Sequence, residues 1–346
     1  MKIAHLIQTN KNPELLRRKI NFFSSANNAF FIHVDAKCDI NDFASIKGDN
    51  VFFIGNRIPV FWGEYSMVKA ILLLIRHALT APAGFDYFLM ETGSDYPLRS
   101  EEYISDFFEK NAGCEFIGAI QLPGGETANP QCGRDPEKIS PGCARFIGNQ
   151  KLNHLKSLRI PSDRPAIKLA MKAMSWAGLA RRSYEKHLKL MEPFAGNTHW
   201  ALTRSACEYI VNFFENNKRV CNFFEGTFGP DETIFHTILG NSVFKPRIRR
   251  HLFYEDWAQT GGGAKHGILE RSSNKAGHPA YLNEGHLDIF EKSDKVLVSD
   301  IYGSCEALFA RKFSDSNLAL VDRLENIIKA KEAERAFTAG KTAAPA

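Results

Sequence analysis

Short apolar runs alternate with amphipathic helices through the first 120 residues, and this alternation limits the fold more than any other feature of the chain. Strands connected by helices form α/β sheets, which bind ligands beyond the carboxyl ends of their strands. Apolar periodicity predicts buried strands at Ile3–Ile7, Ala29–Val34, Val51–Ile54, Phe85–Met90 and Glu115–Ile120. Helices are predicted at Glu14–Phe23 after Pro13, at Glu64–Leu79, and at Glu101–Phe108 with Ser100 as the N-cap.

The rest of the chain is less regular. Residues 121–161 lose periodicity and gain glycine, proline and arginine, which indicates a functional loop. A strand at Trp200–Leu202, a helix at Ser205–Asn216 and a helix beginning at Pro230 are predicted next. Residues 260–273 are rich in glycine and serine, and we expect a mobile segment there. We expect a charged C-terminal helix followed by a disordered tail at 337–346.

Size and composition narrow the class of protein. A chain of 346 residues forms one large domain or two fused ones and buries a core without disulfides or metals. With 44% hydrophobic and 24% charged residues, it is neither disordered nor collagen-like. The net charge of +5 suits anionic ligands or a membrane surface and is too small to indicate nucleic acid.

Cysteine usage and hydropathy indicate the compartment. The seven cysteines contain no CxxC pair, and their odd number favours reduced thiols in a cytosolic protein, with two or three disulfides left open. The N-terminus lacks the long apolar segment and cleavage site of a signal peptide. The longest apolar run, Ala70–Ile75, is far shorter than the roughly 18 residues that a membrane span needs. We therefore expect a soluble or at most peripheral protein.

Two motifs in the first half follow predicted strands. HVDAK places Asp35 where its carboxylate can accept hydrogen bonds from a uracil or a ribose; a turn-forming aspartate explains the phrase equally well. PVFWGEYS places Trp62 and Gly63 before a long helix, whose N-terminus attracts negative charge and whose glycine allows close approach of a ligand. From that phrase alone, the alternative interpretation is favoured: the aromatic side chain anchors a turn in the core.

Two loops combine polar and aromatic side chains. ETGSDYPLRS places Asp95 and Tyr96 after a strand, where an α/β sheet presents catalytic or sugar-binding loops; an ordinary tight turn is the alternative. GNTHWALTR joins His199 to Trp200, whose indole face would pack on a sugar ring, although a core tryptophan is the commoner role.

TFGPDETIFHTIL is the most informative segment. Pro230 suits the first position of a helix, which puts Asp231 and Glu232 in the first turn. The helix dipole there favours an ionised carboxylate, as a general base requires; simple capping is the alternative. His236 lies one turn after Glu232, but no third ligand is near in sequence, so a metal site is the weaker interpretation.

ALFARKFSD sets Arg311 and Lys312 between two phenylalanines, a pattern that suits a diphosphate clamp. Two solvated bases at a strand edge are the alternative. The sequence contains no two aspartates separated by a single residue, the pair with which metal-dependent nucleotide-sugar transferases commonly hold their cation. Either the chain is no such enzyme, or side-chain cations neutralise the diphosphate.

Taken in order, HVDAK, FWGEYSMVKA, TGSDYPLRS, GNTHWALTR, GPDETIFHTIL and LFARKF resemble the core-2/I-branching β-1,6-N-acetylglucosaminyltransferase and peptide O-xylosyltransferase family. The resemblance runs to about residue 314 and is weak in 121–196 and 261–306. It implies an α/β fold of GT-A type, with a Rossmann-like central mixed sheet flanked by helices. It also implies inverting, metal-independent transfer of a sugar, GlcNAc or xylose, from a UDP-sugar to a hydroxyl.

The resemblance assigns roles to residues and segments. Glu232 is similar to the catalytic base, Asp35 to the uracil or ribose contact, and Arg311 with Lys312 to the diphosphate clamp. Arg57, Trp62 and Gly63 complete the nucleotide-sugar side, and Asp95, Tyr96, His199, Trp200 and Asp231 the sugar and acceptor side. Residues 1–320 would form one domain, with a UDP-sugar-binding half (1–120), acceptor-side loops (121–195) and a catalytic half (196–314), followed by the helix and tail (321–346).

The implied partners are a UDP-sugar and a glycan or lipid-linked glycan acceptor, with no nucleic acid and no essential divalent metal or other cofactor. Together with the missing anchor, this suggests a bacterial enzyme of surface polysaccharide assembly, cytoplasmic, with peripheral contact at the inner membrane left open. Two alternatives stay open: a non-catalytic sugar- or nucleotide-binding relative, and a metal-dependent hydrolase that uses Asp95, His199 and Glu232.

Overall fold

The computed structural model describes residues 1–23, 25–122, 126–127, 141–156, 165–177, 182–256, 279–300 and 302–342. The strands of this part of the chain are β1 (Ile3–Thr9), β2 (Asn28–Val34), β3 (Val51–Phe53), β4 (Tyr87–Thr92), β5 (Asp95–Pro97), β6 (Glu115–Phe116), β7 (Ala119–Gln121), β8 (Glu126–Thr127), β9 (Phe194–Gly196), β10 (Trp200–Thr203), β11 (Ile248–Arg249), β12 (Phe253–Glu255), β13 (Leu297–Asp300), β14 (Gly303–Glu306) and β15 (Phe309–Arg311). The helices are α1 (Pro13–Phe22), α2 (Tyr65–Thr80), α3 (Glu101–Lys110), α4 (Pro141–Lys156), α5 (Pro165–Trp176), α6 (Tyr184–Leu188), α7 (Arg204–Asn216), α8 (Lys218–Glu225), α9 (Ile234–Gly240), α10 (Glu284–Lys292) and α11 (Leu318–Thr342).

The central sheet has seven strands in the order β3-β2-β1-β4-β10-β6-β11. The four strands from β3 to β4 run parallel, β10 runs antiparallel to both β4 and β6, and β11 pairs parallel with β6. Strand order reverses between β1 and β4, because β2 and β3 extend the sheet on the other side of β1. In sheets of this kind, such a reversal opens a crevice at the carboxyl ends of the strands.

Helices cover both faces of this sheet. On one face, α2, α7 and α9 pack against alternate side chains of the parallel strands, such as Leu6 and Phe88. On the other face, α1 and α3 pack against the intervening side chains of the same strands, such as Ile7 and Leu89. Because both faces of the sheet are covered, β1 and β2 are buried along their whole length, and most of their residues are apolar, as the sequence predicts.

A second, smaller sheet joins distant parts of the chain. β15 lies between β12, with which it runs parallel, and β5, with which it runs antiparallel. In this register Arg311 is the partner of both Asp95 and Glu255. The small sheet therefore brings a cation from the C-terminal part of the chain to the loop that follows β4.

A buried polar network ties α1 to the end of β4. The Nζ of Lys19 lies 3.2 Å from Glu91 Oε1 and donates to the Thr92 carbonyl at 3.2 Å. His5 Nδ1 lies 2.7 Å from the other oxygen of Glu91, and His5 Nε2 lies 2.9 Å from Asn28 Oδ1. Burial alone would raise the pKa of Glu91, but Lys19 and His5 outweigh it and hold that pKa below its ordinary value. The network fixes the start of the Asp95 loop.

Helix beginnings follow local chemistry. Pro13 occupies the first position of α1, where its missing N–H costs nothing, and the Asp315 carboxylate accepts from the N–H groups of Glu14 at 3.2 Å and Leu15 at 2.8 Å. Ser100 caps α3 as predicted, because its Oγ accepts from the Tyr103 N–H at 3.2 Å.

Several predicted elements differ in the structure. The expected strand Glu115–Ile120 is two short strands, β6 and β7, in different sheets, separated at Gly118 with a φ of +55°. Residues 121–161 hold a helix, α4, instead of irregular loop throughout. Pro230 opens a single 3-10 turn, Pro230–Glu232, before α9.

Two predictions concern the C-terminal third. The expected disordered tail at 337–346 is wrong as far as Thr342, because α11 continues to that residue. The mobile segment expected at 260–273 lies outside the described residues. The division of the chain into domains stays a prediction.

Candidate active site

A cleft of about 650 Å³ opens at the carboxyl ends of β1, β2 and β4, where the strand order reverses. This volume is typical of pockets for small molecules, which span roughly 300–1,000 Å³. Eight of the predicted site residues line it: Asp35, Trp62, Gly63, His199, Asp231, Glu232, Arg311 and Lys312. The proposed base and the proposed diphosphate clamp therefore share one cavity.

Asp35 lies at the end of β2 and is held by its own turn. Its Oδ1 accepts from the Lys37 N–H at 3.0 Å and the Val60 N–H at 3.2 Å, and Lys37 Nζ lies 3.4 Å from Oδ2. Arg57 is not among the residues that line the cleft. Its guanidinium donates to the carbonyls of Asp35 at 3.4 Å and Cys38 at 3.1 Å, so it braces the Asp35 loop instead of contacting a ligand.

The Trp62–Gly63 loop is docked on the turn that carries the acidic pair. The Gly229 N–H donates to the Gly63 carbonyl at 2.9 Å, and the Trp62 ring meets the Phe228 ring edge to face at 5.3 Å. Gly63 has a φ of +70°, and a Cβ there would lie 2.5 Å from Phe228. The close approach that Gly63 allows is therefore to Phe228. Trp62 keeps 53% of its surface exposed and lines the cleft.

Asp231 and Glu232 occupy the 3-10 turn after Gly229 and differ in exposure. Asp231 is 2% exposed; its Oδ2 accepts from Thr198 Oγ1 at 2.6 Å, and its Oδ1 has no hydrogen-bond partner among the described residues. Burial, with a further contribution from the charge of Glu232, raises the pKa of Asp231 to about 6. The Glu232 side chain is 33% exposed and reaches the open part of the cleft.

The Asp231→Asn variant should be more stable than the unmodified protein in alkali. The folded state binds the Asp231 proton more tightly than the unfolded chain does. The contribution of Asp231 to the free energy of unfolding therefore falls as pH rises through about 6. Removing the buried charge should raise the free energy of unfolding by about 1–3 kcal/mol at pH 8 and by less at pH 5. Urea unfolding at both pH values measures this, with the exposed Asp49→Asn as the control. A gain of the same size at pH 5 and pH 8 would contradict it.

Lys151 on α4 contacts Glu232 directly, since its ammonium bonds to Oε2. Nearby on the same helix, the ring of His154 packs edge to face on Phe228 at 4.8 Å. Part of the segment predicted to form acceptor-side loops therefore lies over the acidic turn. A hydroxyl that approaches Glu232 must share this carboxylate with Lys151 or displace it.

A buried ionic cluster forms the opposite wall. The Asp95 carboxylate lies 3.2 Å from His199 Nε2 and 3.3 Å from Arg311 Nε, and Arg311 Nη1 lies 3.2 Å from Glu255 Oε1 and 2.9 Å from His199 Nδ1. Burial alone would raise the pKa of Asp95, but His199 and Arg311 outweigh it and hold that pKa well below its usual range. Two carboxylates thus offset the single charge of Arg311.

Lys312 follows Arg311 and is only half-buried. Burial, with contributions from the neighbouring charges of Arg311 and Lys11, lowers its pKa to about 8. Its ammonium has no hydrogen bond or ion pair within the described part of the chain. An anion in the cleft would therefore meet Lys312 as a cation without a direct ion-pair partner among the described residues.

Three residues predicted to line the sugar and acceptor side do not line the cleft. Trp200 is fully buried, packed near Phe235 with ring centroids 6.1 Å apart, so its indole offers no face to a ligand. The Tyr96 hydroxyl donates to Glu325 at 2.6 Å, away from the cavity. Asp95 is also fully buried and acts through His199 and Arg311.

The cleft also includes residues that the motifs did not single out. Lys11, Asn197, Thr198, Phe228, Glu255 and Tyr281 all line it. Lys11 follows β1 and Asn197 lies in the predicted GNTHWALTR loop, so strand ends and motif context gave some signal for them. Glu255 and Tyr281 lie outside every motif, and nothing in the sequence pointed to them.

A second cavity of about 510 Å³ lies between α3, α11 and the segment after α10. Its two arginines each pair with a carboxylate: Arg99 with Glu306 at 2.9 Å and Arg335 with Asp106 at 2.9 Å. It contains none of the predicted site residues, so the chemistry belongs to the cleft at the strand ends.

A mixed α/β sheet with a cleft at its switch point, lined by both acidic and basic side chains, is typical of an α/β enzyme. The sequence model of the core-2/I-branching enzyme family matches residues 3–129 and 150–279. The chain therefore belongs to the core-2/I-branching enzyme family. The match ends before Arg311 and Lys312.

Individual relatives agree with this assignment at low identity. The chain is similar to human xylosyltransferase 2, with 26% identity over 237 residues, covering 66% of this chain and 23% of the relative. It is also similar to a bovine β-1,3-galactosyl-O-glycosyl-glycoprotein β-1,6-N-acetylglucosaminyltransferase, with 23% identity over 243 residues, covering 68% of this chain and 48% of the relative. The chain thus spans about a quarter to a half of the length of these curated relatives.

Two further observations bear on compartment and metal. Among the described residues, no helix is long and apolar enough to span a bilayer, and no three His, Cys, Asp or Glu side chains are arranged to hold a metal ion. Asp95, His199 and Glu255 do converge, but the Arg311 guanidinium stands among them. The cytoplasmic location and the reduced state of all seven cysteines stay predictions.

Proposed function

We propose that this protein is an inverting glycosyltransferase that moves a sugar from a UDP-sugar to a hydroxyl of a glycan or similar acceptor. Glu232 takes the proton of the acceptor hydroxyl as its oxygen bonds to the anomeric carbon. The bond from that carbon to the UDP oxygen breaks on the opposite face, and the electron pair leaves with UDP. Cationic side chains balance the charge that develops on the diphosphate.

One observation carries the proposal: Glu232 and the Arg311–Lys312 pair line the same cleft at the carboxyl ends of the parallel strands. Glu232 is partly exposed, as a base that meets an incoming alcohol must be. Asp35 lies at the end of β2, where a nucleoside would lie if the diphosphate faces Lys312. The exposed face of Trp62 suits the apolar face of a sugar ring beside Glu232.

Finer points of the proposal come from family resemblance. The fold is of GT-A type, with a Rossmann-like half, and the donor sugar is GlcNAc or xylose. The acceptor is a glycan or a lipid-linked glycan in bacterial surface polysaccharide assembly. The names of the relatives, a xylosyltransferase and an N-acetylglucosaminyltransferase, support this choice of donors.

Transfer should continue without divalent metal. With UDP-GlcNAc, UDP-xylose, UDP-glucose and UDP-galactose offered in turn with a glycan acceptor, we expect acceptor-dependent release of UDP from one donor. Adding EDTA should leave the rate within about twofold, because side-chain cations do the electrostatic work that a metal ion does elsewhere. UDP release without acceptor serves as the hydrolysis control. Complete dependence on Mn²⁺ or Mg²⁺ would contradict the metal-independent mechanism.

The same assay separates the alternatives. A non-catalytic relative would bind UDP or a UDP-sugar and release nothing in the presence of any acceptor. A metal-dependent hydrolase would require the divalent ion and would not need an acceptor. Glu232 and Lys312, which both line the cleft, favour transfer.

A further inference from the structure

A leaving UDP carries at least two negative charges on its diphosphate, so its subsite needs more than one available cation. Within the described residues, the cleft is lined by three: Lys11, Arg311 and Lys312. How strongly each of these cations attracts an anionic ligand depends on the carboxylates around it.

The positive charge of Arg311 is largely offset by neighbouring carboxylates. Its guanidinium lies 3.3 Å from Asp95 and 3.2 Å from Glu255, and both carboxylates are buried. The charge of an arginine between two buried carboxylates is largely offset for a ligand, and the guanidinium can still orient the cluster and donate hydrogen bonds. The sequence motif therefore supplies one available positive charge, that of Lys312.

Lys11 supplies a second. It lies two residues after the end of β1, at the strand end that borders the switch point, and its ammonium donates to the Tyr281 hydroxyl at 2.8 Å. Across the described ranges no carboxylate lies within ion-pair distance of either Lys11 or Lys312. The other lysine near this end of the sheet, Lys37, lies 3.4 Å from the Asp35 carboxylate.

Tyr281 connects the two lysines. The Leu282 N–H donates to the Lys312 carbonyl at 2.9 Å, and the Lys312 N–H donates to the Ala280 carbonyl at 3.4 Å. The backbone around Tyr281 is thus laid against Lys312, while its hydroxyl and ring hold the Lys11 ammonium, which lies 5.5 Å from the ring centroid. This arrangement brings two like charges to one wall of the cleft without an anion between them.

The surroundings of Lys312 disfavour its charged form. Its pKa is lowered, first by burial and then by the positive charges of Arg311 and Lys11. Like charges held together in this way disfavour the charged form until a counter-ion relieves them. A bound diphosphate would be that counter-ion.

We propose that Lys11, positioned by Tyr281, is the second cation of the diphosphate subsite and acts beside Lys312. The inference rests on the proposed function, because it takes a nucleoside diphosphate as the ligand. Lys11 would contact the phosphates, and Tyr281 would be a positioning residue that reaches the ligand through Lys11.

Titration calorimetry of the full chain with UDP and with uridine tests this. Lys11→Met should weaken UDP binding about tenfold and leave uridine binding within twofold, because only UDP carries the phosphates. Lys11→Arg should retain most of the affinity, and Tyr281→Phe should weaken UDP binding by a smaller factor of about three. In the double variant Lys11→Met/Tyr281→Phe, the loss should not exceed that of Lys11→Met alone, since Tyr281 acts through Lys11. Lys47→Met, an exposed lysine outside the cleft, is the matched control.

The results distinguish a failure of this inference from a failure of the proposed function. If UDP binds and Lys11→Met leaves its affinity within twofold, or if uridine and UDP weaken equally, the role of Lys11 is overturned while the proposed function stands. If the unmodified protein does not bind UDP at all, the proposed function is overturned and this inference with it.

Discussion

The Glu232→Gln variant should transfer sugar at about one hundredth of the original rate or less, the usual cost of removing a general base. Glutamine keeps the shape of glutamate and can still accept a hydrogen bond from Lys151, but it cannot take a proton from the acceptor. Binding of UDP should remain nearly unchanged, because the cations that we assign to the diphosphate lie on other elements of the cleft. Turnover under saturating donor, together with calorimetric UDP affinity, measures both halves of the prediction.

Glu225→Gln provides the matched control. Glu225 ends α8, is about half exposed, and pairs with Lys69 at 3.8 Å, outside the cleft. The same change there should leave turnover within about twofold, since exposed ion pairs contribute little. If Glu232→Gln kept its turnover, Glu232 would not be the base, and the neighbouring carboxylate of Asp231 would be the next residue to test.

The Lys19→Met variant should lose about 3–5 kcal/mol of unfolding free energy at pH 7, because it leaves the buried Glu91 carboxylate without its lysine. Both side chains are fully buried, so no water can replace the lost partner. The Thr92 carbonyl also loses its lysine donor, at the start of the loop that holds Asp95. Urea unfolding measures the loss, and Lys110→Met, an exposed lysine at the end of α3, is the control.

The loss should shrink in acid. Because the pKa of Glu91 is lowered in the folded protein, the pair stabilises the fold above the unfolded-state pKa of about 4.3 and stops doing so as pH falls through the lowered value. Without Lys19 the buried carboxylate protonates more readily, so the loss should become smaller as pH falls toward 4, and its electrostatic part should vanish only once Glu91 is protonated in both proteins. A loss that is constant from pH 7 to pH 4 would mean that Lys19 acts by packing and not by its charge.

The central strands could be predicted because burial on both faces of the sheet favours short, mostly apolar segments, as in β1 and β2. The split of Glu115–Ile120 could not, because it depends on partners distant in sequence: β6 pairs with β10 and β11, whereas β7 pairs with β8 and β9. The helix α4 was missed because its apolar residues do not form a regular stripe along the sequence.

The residues of the site differ in the same way: some could be predicted from the local sequence, and others depend on contacts between distant parts of the chain. The positions of Asp35 and Glu232 could be predicted from the local sequence, because Asp35 follows a strand and Glu232 lies in a turn that begins with a proline. Trp200 was not, because a strand alternates its side chains between faces and the motif does not say which face meets the cleft. The neutralisation of Arg311 depends on Asp95 and Glu255, which β15 meets only in three dimensions.

The central position of β15 in the small sheet has a consequence for biosynthesis. Ribosomes add about 5–20 residues per second, so Asp95 emerges roughly 10–40 s before Arg311 does. Throughout that interval the nascent chain carries Asp95 without the guanidinium that offsets its charge, and β5 without its strand partner. The small sheet, and with it the Asp95–Arg311–Glu255 cluster at the cleft, therefore cannot be complete until β15, the central and last-made strand, has been synthesised.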